Sequence, residues 1–501
     1  MKKYRLLMLT TLIISGCSLC YELIISAVSS YLVGDTVLQY SITIGLYMSA
    51  MGLGSFISKY MKENLFNWFV LIEIGVGVVG GVSSLVLFLA NLYLEQYQLI
   101  MYIQIIIIGT LVGVEIPLLT RIIEADEDNL RVTISSIFSF DYIGGLIGSI
   151  AFPLLLLPQL GYFATAFLVG SLNLFAAILI VFKYSDRIKK AWILKLVSVG
   201  LFSVMIIGIF ASDHIAYKIE GGLYRDRIIL SEHTKYQHIV MTKHKDDLRL
   251  YIDGNIQFCS MDEYRYHEAL VHIPMSYATN REEVLVLGGG DGMAVRELLK
   301  YEDTHITLVD LDSEMVDICR ENNHVKEVNE GSLSSDRLTI IYDDAYRFLE
   351  ETSNKYDVII VDLPDPNNET LNKLYTNIFY RLCIGSLNEK GIMTVQSTSP
   401  YYAPKAFWCI NKTLESEGVY VKPYHLQVPS FGDWGFNMVS LEEINEEAYI
   451  TVDTRYLSNE NVKGLYIFGK DEMVDESEIE INSLSKPMLI QYYSDAVRNW
   501  E

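Results

Sequence analysis

Seven long apolar runs fill the first 215 residues and limit the fold of this chain more than any other feature. Each run is close to the ~20 residues that an α-helix needs to cross a lipid bilayer. The first, Leu6–Leu32, follows Lys2, Lys3 and Arg5 and is too long for a signal-peptide core, so we expect it to be retained. The others are residues 38–58, 67–91, 99–120, 137–158, 160–182 and 191–211. The sequence therefore predicts an N-terminal α-helical transmembrane bundle of about seven spans over residues 1–215.

Basic residues are concentrated in alternate loops between these runs. They occur at the N-terminus and within residues 59–62, 121–131 and 183–190, while the loops between are nearly free of them. By the positive-inside rule, this pattern places the N-terminus in the cytoplasm. Seven crossings would then place the second half of the chain on the opposite side of the membrane.

Four acidic residues lie inside the apolar runs, where a charge is costly and often marks a transport pathway or a buried pair. They are Glu22, Glu73, Glu115 and Asp141. One interpretation is transport or sensing of a small cation; the other is an anchor whose acids pair with neighbouring helices. We also expect Gly144, Gly145 and Gly148 to let two helices approach closely.

The second half contains a strand, a glycine turn, a helix and a second strand within residues 283–312. Its turn is formed by Gly288, Gly289, Gly290 and Gly292. Glycines allow close approach of the backbone to a ligand, and the following helix offers free N–H groups. Asp310 lies 20 residues after Gly290, where a nucleoside-binding unit places a carboxylate on the ribose. The sequence thus predicts a nucleoside site; the alternative is a tight turn with no ligand.

Strands and helices alternate through residues 261–440, and the strands are almost continuously apolar. This pattern is typical of a parallel, doubly wound α/β sheet, which binds ligands at the carboxyl ends of its strands. Four acids each follow a strand and a glutamine ends a later one, so we expect these side chains to share one crevice: Asp291, Asp310, Asp344, Asp362 and Gln396. Four acids without neighbouring Arg or Lys indicate a cationic ligand.

Two smaller segments flank this predicted α/β domain. Residues 216–260 alternate with a period of two and contain an Asp253-Gly254 turn, which predicts a small antiparallel β domain made of hairpins. Residues 441–501 form an acidic extension in which we expect short helices. The net charge of -23 argues against a nucleic-acid partner, and no residue cluster has the spacing of a metal site.

Several motifs of the second half carry a resemblance to a known family. They are Tyr236-Gln237, LYIDGNIQ (250–257), DEYRYHEAL (262–270), GGGDG (288–292), VDLD (309–312), DDAYRFL (343–349), DLPDP (362–366), Phe379-Tyr380 and Gln396. In these motifs the chain resembles the polyamine aminopropyltransferases, the spermidine synthase family, and its apolar N-terminus resembles the membrane-attached, multi-pass bacterial branch. The resemblance implies a Rossmann-like fold of the class I methyltransferase type. It also implies transfer of an aminopropyl group from decarboxylated S-adenosylmethionine to a diamine such as putrescine, giving spermidine and methylthioadenosine, with no further cofactor.

The resemblance also implies roles for individual residues. Asp362 is expected to be the general base. The donor and its nucleoside would be held by Gln237, Asp291, Asp310, Asp344 and Ala345, with Asp291 on the ammonium end of the aminopropyl group. The polyamine would be placed by Tyr266, His267, Asp365, Gln257 and Gln396. Chemistry agrees, because an attacking amine must lose its proton and a neighbouring carboxylate can accept it.

The sequence departs from the family pattern mainly where the amine would bind. Leu363 and Pro364 stand in the segment where the family carries a pocket hydroxyl, and Phe431 replaces a common tyrosine. Met293 replaces the second glycine usual in the turn. The nucleoside half is therefore well kept, and the identity of the acceptor amine stays open.

Two other functions remain open at this stage. One is methyl transfer from intact S-adenosylmethionine, whose carboxylate Asp291 would repel. The other is a polyamine transporter or sensor whose soluble domain only binds nucleoside. The expected partners are the diamine, the nucleoside donor and the lipid bilayer, with a homo-oligomer left open. Because the donor is a cytosolic metabolite, we expect a catalytic domain on the cytoplasmic side of the cell membrane and suspect that the last run, which carries Lys195, does not cross fully.

Overall fold

The structure, a computed structural model, describes residues 5–33, 36–94, 96–125, 130–224, 226–444 and 449–500. The chain divides into two compact units, Met1–Arg225 and Asp226–Glu501. The finer domain limits at residues 215, 260 and 440 stay predictions.

Long apolar helices form the first unit. They are α1 (Arg5–Val33), α2 (Thr36–Ser58), α3 (Leu65–Gly81), α4 (Ser83–Tyr93), α5 (Tyr97–Glu124), α6 (Leu130–Ala151), α7 (Leu157–Lys183) and α8 (Ala191–Leu223), with a π-helical turn, Phe152–Leu156, between α6 and α7. Within the described residues, five helical runs are long and apolar enough to cross a membrane, or six if the bent pair α3–α4 is one span. These helices indicate a membrane protein, as predicted.

One of the five runs, Ile134–Lys183, is too long to be a single crossing. Its 50 residues correspond to about 75 Å of helix, more than twice the ~30 Å core of a bilayer. The backbone leaves the helical conformation at Gly161, where φ is 68° and ψ is -176°. The run thus divides into two segments of about bilayer length, where the sequence predicts the runs 137–158 and 160–182. The total of seven crossings stays a prediction.

Two of the apolar runs, α3–α4 and α8, are informative about whether every run crosses the membrane. The predicted run 67–91 is bent by 44° between α3 and α4, as in a broken span or a re-entrant loop. The last run, which we suspected of not crossing, is instead an unbroken helix of 33 residues, Ala191–Leu223. Its length alone therefore gives no reason for it to stop short of a full crossing.

Glycines and buried polar side chains set the packing of the first unit. A Cβ on Gly144 would overlap the Leu12 carbonyl oxygen, and one on Gly148 would overlap that of Gly16, so the predicted close approach is confirmed for α1 and α6. The buried Glu73 carboxylate accepts a hydrogen bond of 2.9 Å from Asn173 Nδ2 of α7. For Glu73, this contact between helices fits the interpretation of a membrane acid paired with a neighbouring helix.

The second unit begins with a four-stranded antiparallel sheet. Its strands, in the order β1-β2-β3-β4, are Arg227–His233, His238–His244, Asp247–Ile252 and Asn255–Cys259. The Asp253-Gly254 turn between β3 and β4 has φ values of 48° and 83°, as the tight turn of a two-residue hairpin requires. The predicted hairpins are confirmed.

A mixed seven-stranded sheet forms the centre of the second unit. Its strands are β5 (Glu283–Gly288), β6 (His305–Asp310), β7 (Leu338–Tyr342), β8 (Tyr356–Asp362), β9 (Leu387–Gln396), β10 (Tyr420–Val428) and β11 (Gly432–Ser440). Their order is β10-β11-β9-β8-β5-β6-β7. Strands β5 to β9 are parallel, as predicted, and β10–β11 adds an antiparallel hairpin at the β9 edge. The chain runs outward from β5 through β6 and β7, then returns to β8 on the other side of β5, which makes the β5/β8 boundary the topological switch point.

Helices cover both faces of this sheet because β5 is apolar on both sides. Val284 and Val286 belong to one buried cluster, and Leu285 and Leu287 belong to another. The helices are α9 (Glu263–Tyr277), α10 (Met293–Leu298), α11 (Ser313–Glu321), α12 (Asn323–Val328), α13 (Ala345–Glu351), α14 (Glu369–Asn372), α15 (Asn377–Gly385), α16 (Pro404–Glu415) and α17 (Met488–Trp500).

The C-terminal extension packs tightly on the α/β domain. The buried Glu268 carboxylate of α9 accepts hydrogen bonds of 2.6–2.9 Å from the backbone N–H groups of Arg455, Tyr456 and Leu457. Leu489 of α17 is fully buried in the same cluster as Leu285 and Leu287. The expected short helices are present, together with the longer α17.

Candidate active site

The glycine turn after β5 lies directly against two of the predicted acids. The sheet register pairs Gly288 with Asp362. Gly288 has φ of 81°, and a Cβ there would overlap the Asp362 carbonyl oxygen. A Cβ on Gly290 would lie 2.6 Å from Asp310 Oδ2. Only glycine therefore allows the ends of β5, β6 and β8 to meet at the switch point.

Asp362 is held by a tyrosine and faces the glycine turn. Its Oδ1 accepts a hydrogen bond of 2.6 Å from the Tyr266 hydroxyl of α9. Its Oδ2 lies 3.2 Å from the position that a Cβ on Gly289 would take. Burial raises the pKa of Asp362 to about 6, although the nearby charge of His267 opposes that rise. The carboxylate is thus ionised at neutral pH and able to accept a proton through Oδ2.

His267 is the cationic neighbour of these acids. Burial lowers the pKa of His267, but its bond to Glu263 and the charges of Glu263, Asp291 and Asp362 outweigh this and raise the pKa to about 9. Its Nδ1 donates to Glu263 Oε2 over 2.8 Å, and Glu263 also accepts two hydrogen bonds from Arg296, of 2.8 and 3.0 Å. This buried chain fixes His267 as an imidazolium beside Asp362.

Asp365 lies three residues beyond Asp362 among neutral donors. Its Oδ2 accepts hydrogen bonds from the Tyr493 hydroxyl at 3.0 Å and the Thr398 hydroxyl at 3.3 Å. From the described part of the chain, its Oδ1 receives only a long contact of 3.4 Å from Gln396 Nε2. Burial raises the pKa of Asp365 to about 6. The structure thus brings Gln396 and Asp365 together, as predicted.

Asp291 and Asp310 line the glycine turn. Asp291 is buried, and its Oδ1 accepts a hydrogen bond of 2.8 Å from Met293 N at the start of α10. Asp310 Oδ1 accepts one of 2.9 Å from Asp312 N, and burial raises the pKa of Asp310 to about 6. Burial is the main cause of the raised pKa of both Asp310 and Asp362, and the negative charge of Asp291 adds to both.

The predicted nucleoside residues lie on the β6–β7 side of the turn. Gln237 Nε2 donates to Asp312 Oδ2 over 2.9 Å. Asp344 caps α13, accepting from Tyr346 N at 2.9 Å, and its Oδ2 forms a 2.6 Å ion pair with Lys373. The expectation that no Arg or Lys neighbours the four acids is therefore wrong at Asp344. An open cleft of about 480 Å³ in this region is lined by Asp344, Lys373 and aromatic rings including Tyr236 and Tyr342. Ala345 is buried at the start of α13.

Gln257 is the predicted site residue that the structure connects least to the others. It lies half-buried on β4, and its side chain forms no hydrogen bond within the described part of the chain.

Other residues join the site without having been predicted. Tyr493 comes from a poorly periodic tail, and Tyr375 lies in a short 3₁₀ turn where its hydroxyl donates to the Leu363 carbonyl over 3.1 Å. Glu263 lies in the motif DEYRYHEAL, and Arg296 lies on the helix after the glycine turn. Their opposite charges were the sequence feature that could have indicated a buried ion pair. The sequence offered no comparable signal for Tyr493.

The structure also groups three residues of the kind that bind metals. The ligand atoms of His425, Asp433 and Glu472 lie within 4.8 Å of one another. Both nitrogens of His425 are engaged, however: Nδ1 with Asp433 at 2.9 Å and Nε2 with the Ile467 carbonyl at 2.9 Å. The group is thus an ion pair that fastens the C-terminal extension to β10 and β11.

Known proteins resemble this chain over nearly its whole length. Residues 263–449 match the family model of the spermine/spermidine synthase domain. A polyamine aminopropyltransferase of Leptospira interrogans is 41% identical, over 99% of this chain and 98% of its own. One of Oceanobacillus iheyensis is 42% identical, over 97% and 96%. Among solved structures, a spermidine synthase in complex with the transition state analogue AdoDATO is similar over 48% of this chain and 86% of its own, with 24% identity and a TM-score of 0.45. The full-length identities show that the chain belongs to the polyamine aminopropyltransferase family.

Proposed function

We propose that the protein transfers an aminopropyl group from decarboxylated S-adenosylmethionine to a diamine such as putrescine, giving spermidine and methylthioadenosine. The amine nitrogen forms a bond to the aminopropyl carbon next to the sulfonium. The carbon–sulfur bond breaks, its electron pair stays on sulfur, and methylthioadenosine leaves as a neutral thioether. The amine loses one proton to the protein.

The observation that carries this proposal is the pair of carboxylates that follow β8, beside the glycine turn. Asp362 Oδ2 faces the turn, whereas the residues that the structure describes give Asp365 Oδ1 only the distant Gln396 amide as a donor. A diammonium ligand fits such a pair, with Asp365 receiving one end and Asp362 accepting the proton of the other. The sulfonium of the donor is already positively charged and is a good leaving group without activation by the protein. Positioning of the two substrates therefore supplies much of the rate enhancement.

The glycine turn and its acids would hold the donor. Asp310 is placed to take the ribose hydroxyls, and Asp291 the ammonium of the aminopropyl group. Gln237 would act by fixing Asp312, and Asp344 with Ala345 would border the adenine. Asp344 must release Lys373, or share it, if its carboxylate is to meet the adenine amine. Tyr266, His267, Gln257 and Gln396 would shape the acceptor side.

We place the protein in the cell membrane with its second unit in the cytoplasm, where the donor is made. The basic loops put the N-terminus in the cytoplasm, so this placement requires an even number of crossings. Either α8 does not cross, or α3 and α4 enter and leave on one side. The second option would move the basic loops within residues 121–131 and 183–190 outside, so loop charge favours the first.

The activity test uses the purified full-length chain in detergent or lipid nanodiscs. Incubation with decarboxylated S-adenosylmethionine and a panel of diamines should yield methylthioadenosine and an amine heavier by one aminopropyl group, both detected by mass spectrometry. Asp362→Asn should lower kcat by about 10²–10⁴-fold, because the general base is lost. Asp303 is exposed in the turn before β6 and provides the matched control Asp303→Asn, which should keep full activity.

Two outcomes would contradict the proposal. Methylation of any acceptor by intact S-adenosylmethionine, without aminopropyl transfer, would identify a methyltransferase. Tight binding of nucleoside or polyamine without any product would indicate a sensor.

A further inference from the structure

The C-terminal helix α17 reaches the acceptor side of the proposed active site through one side chain. Tyr493 donates its hydroxyl to Asp365 Oδ2 over 3.0 Å. Asp365 comes from the segment after β8, 128 residues earlier in the chain. The family domain matches residues 263–449, so Tyr493 lies outside it.

Independent contacts fix the position of α17. Leu489 is fully buried, and its N–H donates to Asn482 Oδ1 over 3.2 Å. Asn482 Nδ2 in turn donates to the Tyr375 carbonyl over 3.0 Å. The Tyr375 hydroxyl donates to the carbonyls of Leu363 and Pro364 at 3.1 and 3.0 Å, in the segment that carries Asp365. The helix and the carboxylate are therefore held by one connected set of hydrogen bonds.

We propose that Tyr493 is a positioning residue for the acceptor amine, acting through Asp365. The inference rests on the proposed function, since it assigns Asp365 to one ammonium of the acceptor. The Tyr493 and Thr398 hydroxyls occupy Oδ2 and fix the plane of the carboxyl group. Oδ1, whose contact from Gln396 Nε2 is long at 3.4 Å, would then accept from the ammonium of the acceptor. Because this hydroxyl donates to a charged acceptor, its loss should weaken amine binding about tenfold.

The groups around Asp365 determine how loss of the Tyr493 hydroxyl changes the pH dependence of diamine binding. The titratable neighbours within the described residues are the phenols Tyr266, Tyr375 and Tyr493, and the charge of Asp362 acts on the first two of these. Gln396 and Thr398 are neutral donors. Because the Tyr493 hydroxyl stabilises the ionised carboxylate, its removal raises the pKa of Asp365 above about 6. Protonation then weakens amine binding at a higher pH than in the unchanged protein.

The test compares Tyr493→Phe with the full-length unchanged protein. The KM for the diamine should rise about tenfold at neutral pH, with a smaller change in kcat and none in the KM for the donor. The acid limb of kcat/KM for the diamine should move to higher pH. Tyr492→Phe is the matched control, since Tyr492 is the adjacent residue on α17 and its hydroxyl donates to Glu478 O at 3.1 Å and accepts from Glu480 N at 3.3 Å, away from Asp365. This control should keep both the KM and the pH profile.

Each result bears on a different claim. If the unchanged protein forms product and Tyr493→Phe keeps its diamine KM and acid limb, the inference is wrong while the proposed function stands. If the unchanged protein forms no product with any diamine, both fall. Should Tyr493→Phe not fold, 3-fluorotyrosine at position 493 retains the ring and is a stronger donor, so the acid limb should move to lower pH. An unmoved limb in that protein would also refute the positioning role.

Discussion

Asp362 and Asp365 follow one strand, but their surroundings differ in charge. Asp362 lies near the imidazolium of His267, whereas the direct hydrogen-bond partners of Asp365 are neutral hydroxyl and amide groups. His267 owes its charge to Glu263, which Arg296 in turn holds with two hydrogen bonds. This chain of buried charges lets Asp362 remain ionised next to Asp291 at neutral pH.

The charge of His267 leads to a prediction about pH dependence. A carboxylate with a raised pKa loses its proton-accepting form as pH falls through about 6, so kcat/KM should decline below that pH. His267→Gln removes the positive charge that opposes the rise, so the acid limb should move to higher pH. The pH profile of kcat/KM measures this shift, with one diamine used for both proteins so that its own titration cancels. The exposed His305 provides the control His305→Gln, whose limb should coincide with that of the unchanged protein. If His267→Gln leaves the acid limb of kcat/KM at the same pH, the charge of His267 does not lower the pKa of Asp362.

Single residues differ in how far the sequence could predict them. Asp310, Asp362 and Gln396 were predictable because each ends a strand, and the parallel sheet brings strand ends to one edge. Tyr493 was not, since no local pattern shows where a C-terminal helix will dock. The ion pair of Asp344 with Lys373 depends on a fold-back of the chain that spacing does not encode.

At the scale of elements, the glycine turn allows the end of β5 to approach Asp362 at the end of β8. Gly288 and Gly254 both have φ above 80°, but their surroundings differ. A Cβ on Gly254 meets nothing within 4 Å, whereas one on Gly288 overlaps the Asp362 carbonyl oxygen. The two glycines therefore form a matched pair. Alanine at position 254 tests backbone strain alone, whereas alanine at position 288 tests the same strain together with a steric clash at the switch point.

This pair gives a prediction for Gly288→Ala. Alanine at positive φ costs about 1–2 kcal/mol, so Gly254→Ala should lower the unfolding free energy by that amount and leave nucleoside binding intact. Gly288→Ala should cost more and weaken binding of methylthioadenosine, because β8 must move away from the turn. Thermal unfolding and isothermal titration calorimetry measure the two effects. Equal losses in both variants would show that the close approach to Asp362 is unimportant.

Elements were predictable where their periodicity was strong. The apolar strands β5 and β8 and the hairpins of the small sheet follow directly from their spacing. The break at Gly161 lies at the predicted boundary between the runs 137–158 and 160–182, whereas the bend between α3 and α4 lies inside the single predicted run 67–91. This bend falls at Val82, between Gly80-Gly81 and Ser83-Ser84, and small residues of this kind are common at sharp helix kinks.

At the scale of the whole molecule, the membrane topology can be tested with single cysteines and a membrane-impermeant maleimide in intact cells. The six native cysteines are all buried, so background labelling should be low. Suitable exposed positions are Lys62, Asp186 and Lys245. We expect none of Lys62→Cys, Asp186→Cys and Lys245→Cys to be labelled until the cells are permeabilised, which would mean that α8 does not cross.

Other labelling patterns separate the remaining topologies. Labelling of position 186 alone in intact cells would mean that α3 and α4 form a re-entrant pair and that α8 crosses. Labelling of position 245 would place the second unit outside the cytoplasm and refute the proposed location.

The docking of α17 has a consequence for how the protein is made. Tyr493 is translated after every other residue of the proposed site, so the donor side can form while the acceptor side still lacks its last hydroxyl. A chain that ends before α17, or loses it to a protease, would lack the hydroxyl that we propose orients Asp365, and it would also lack Leu489 from the buried cluster that contains Leu285 and Leu287. On this proposal, the acceptor side is complete only after the last helix has been synthesised and has docked.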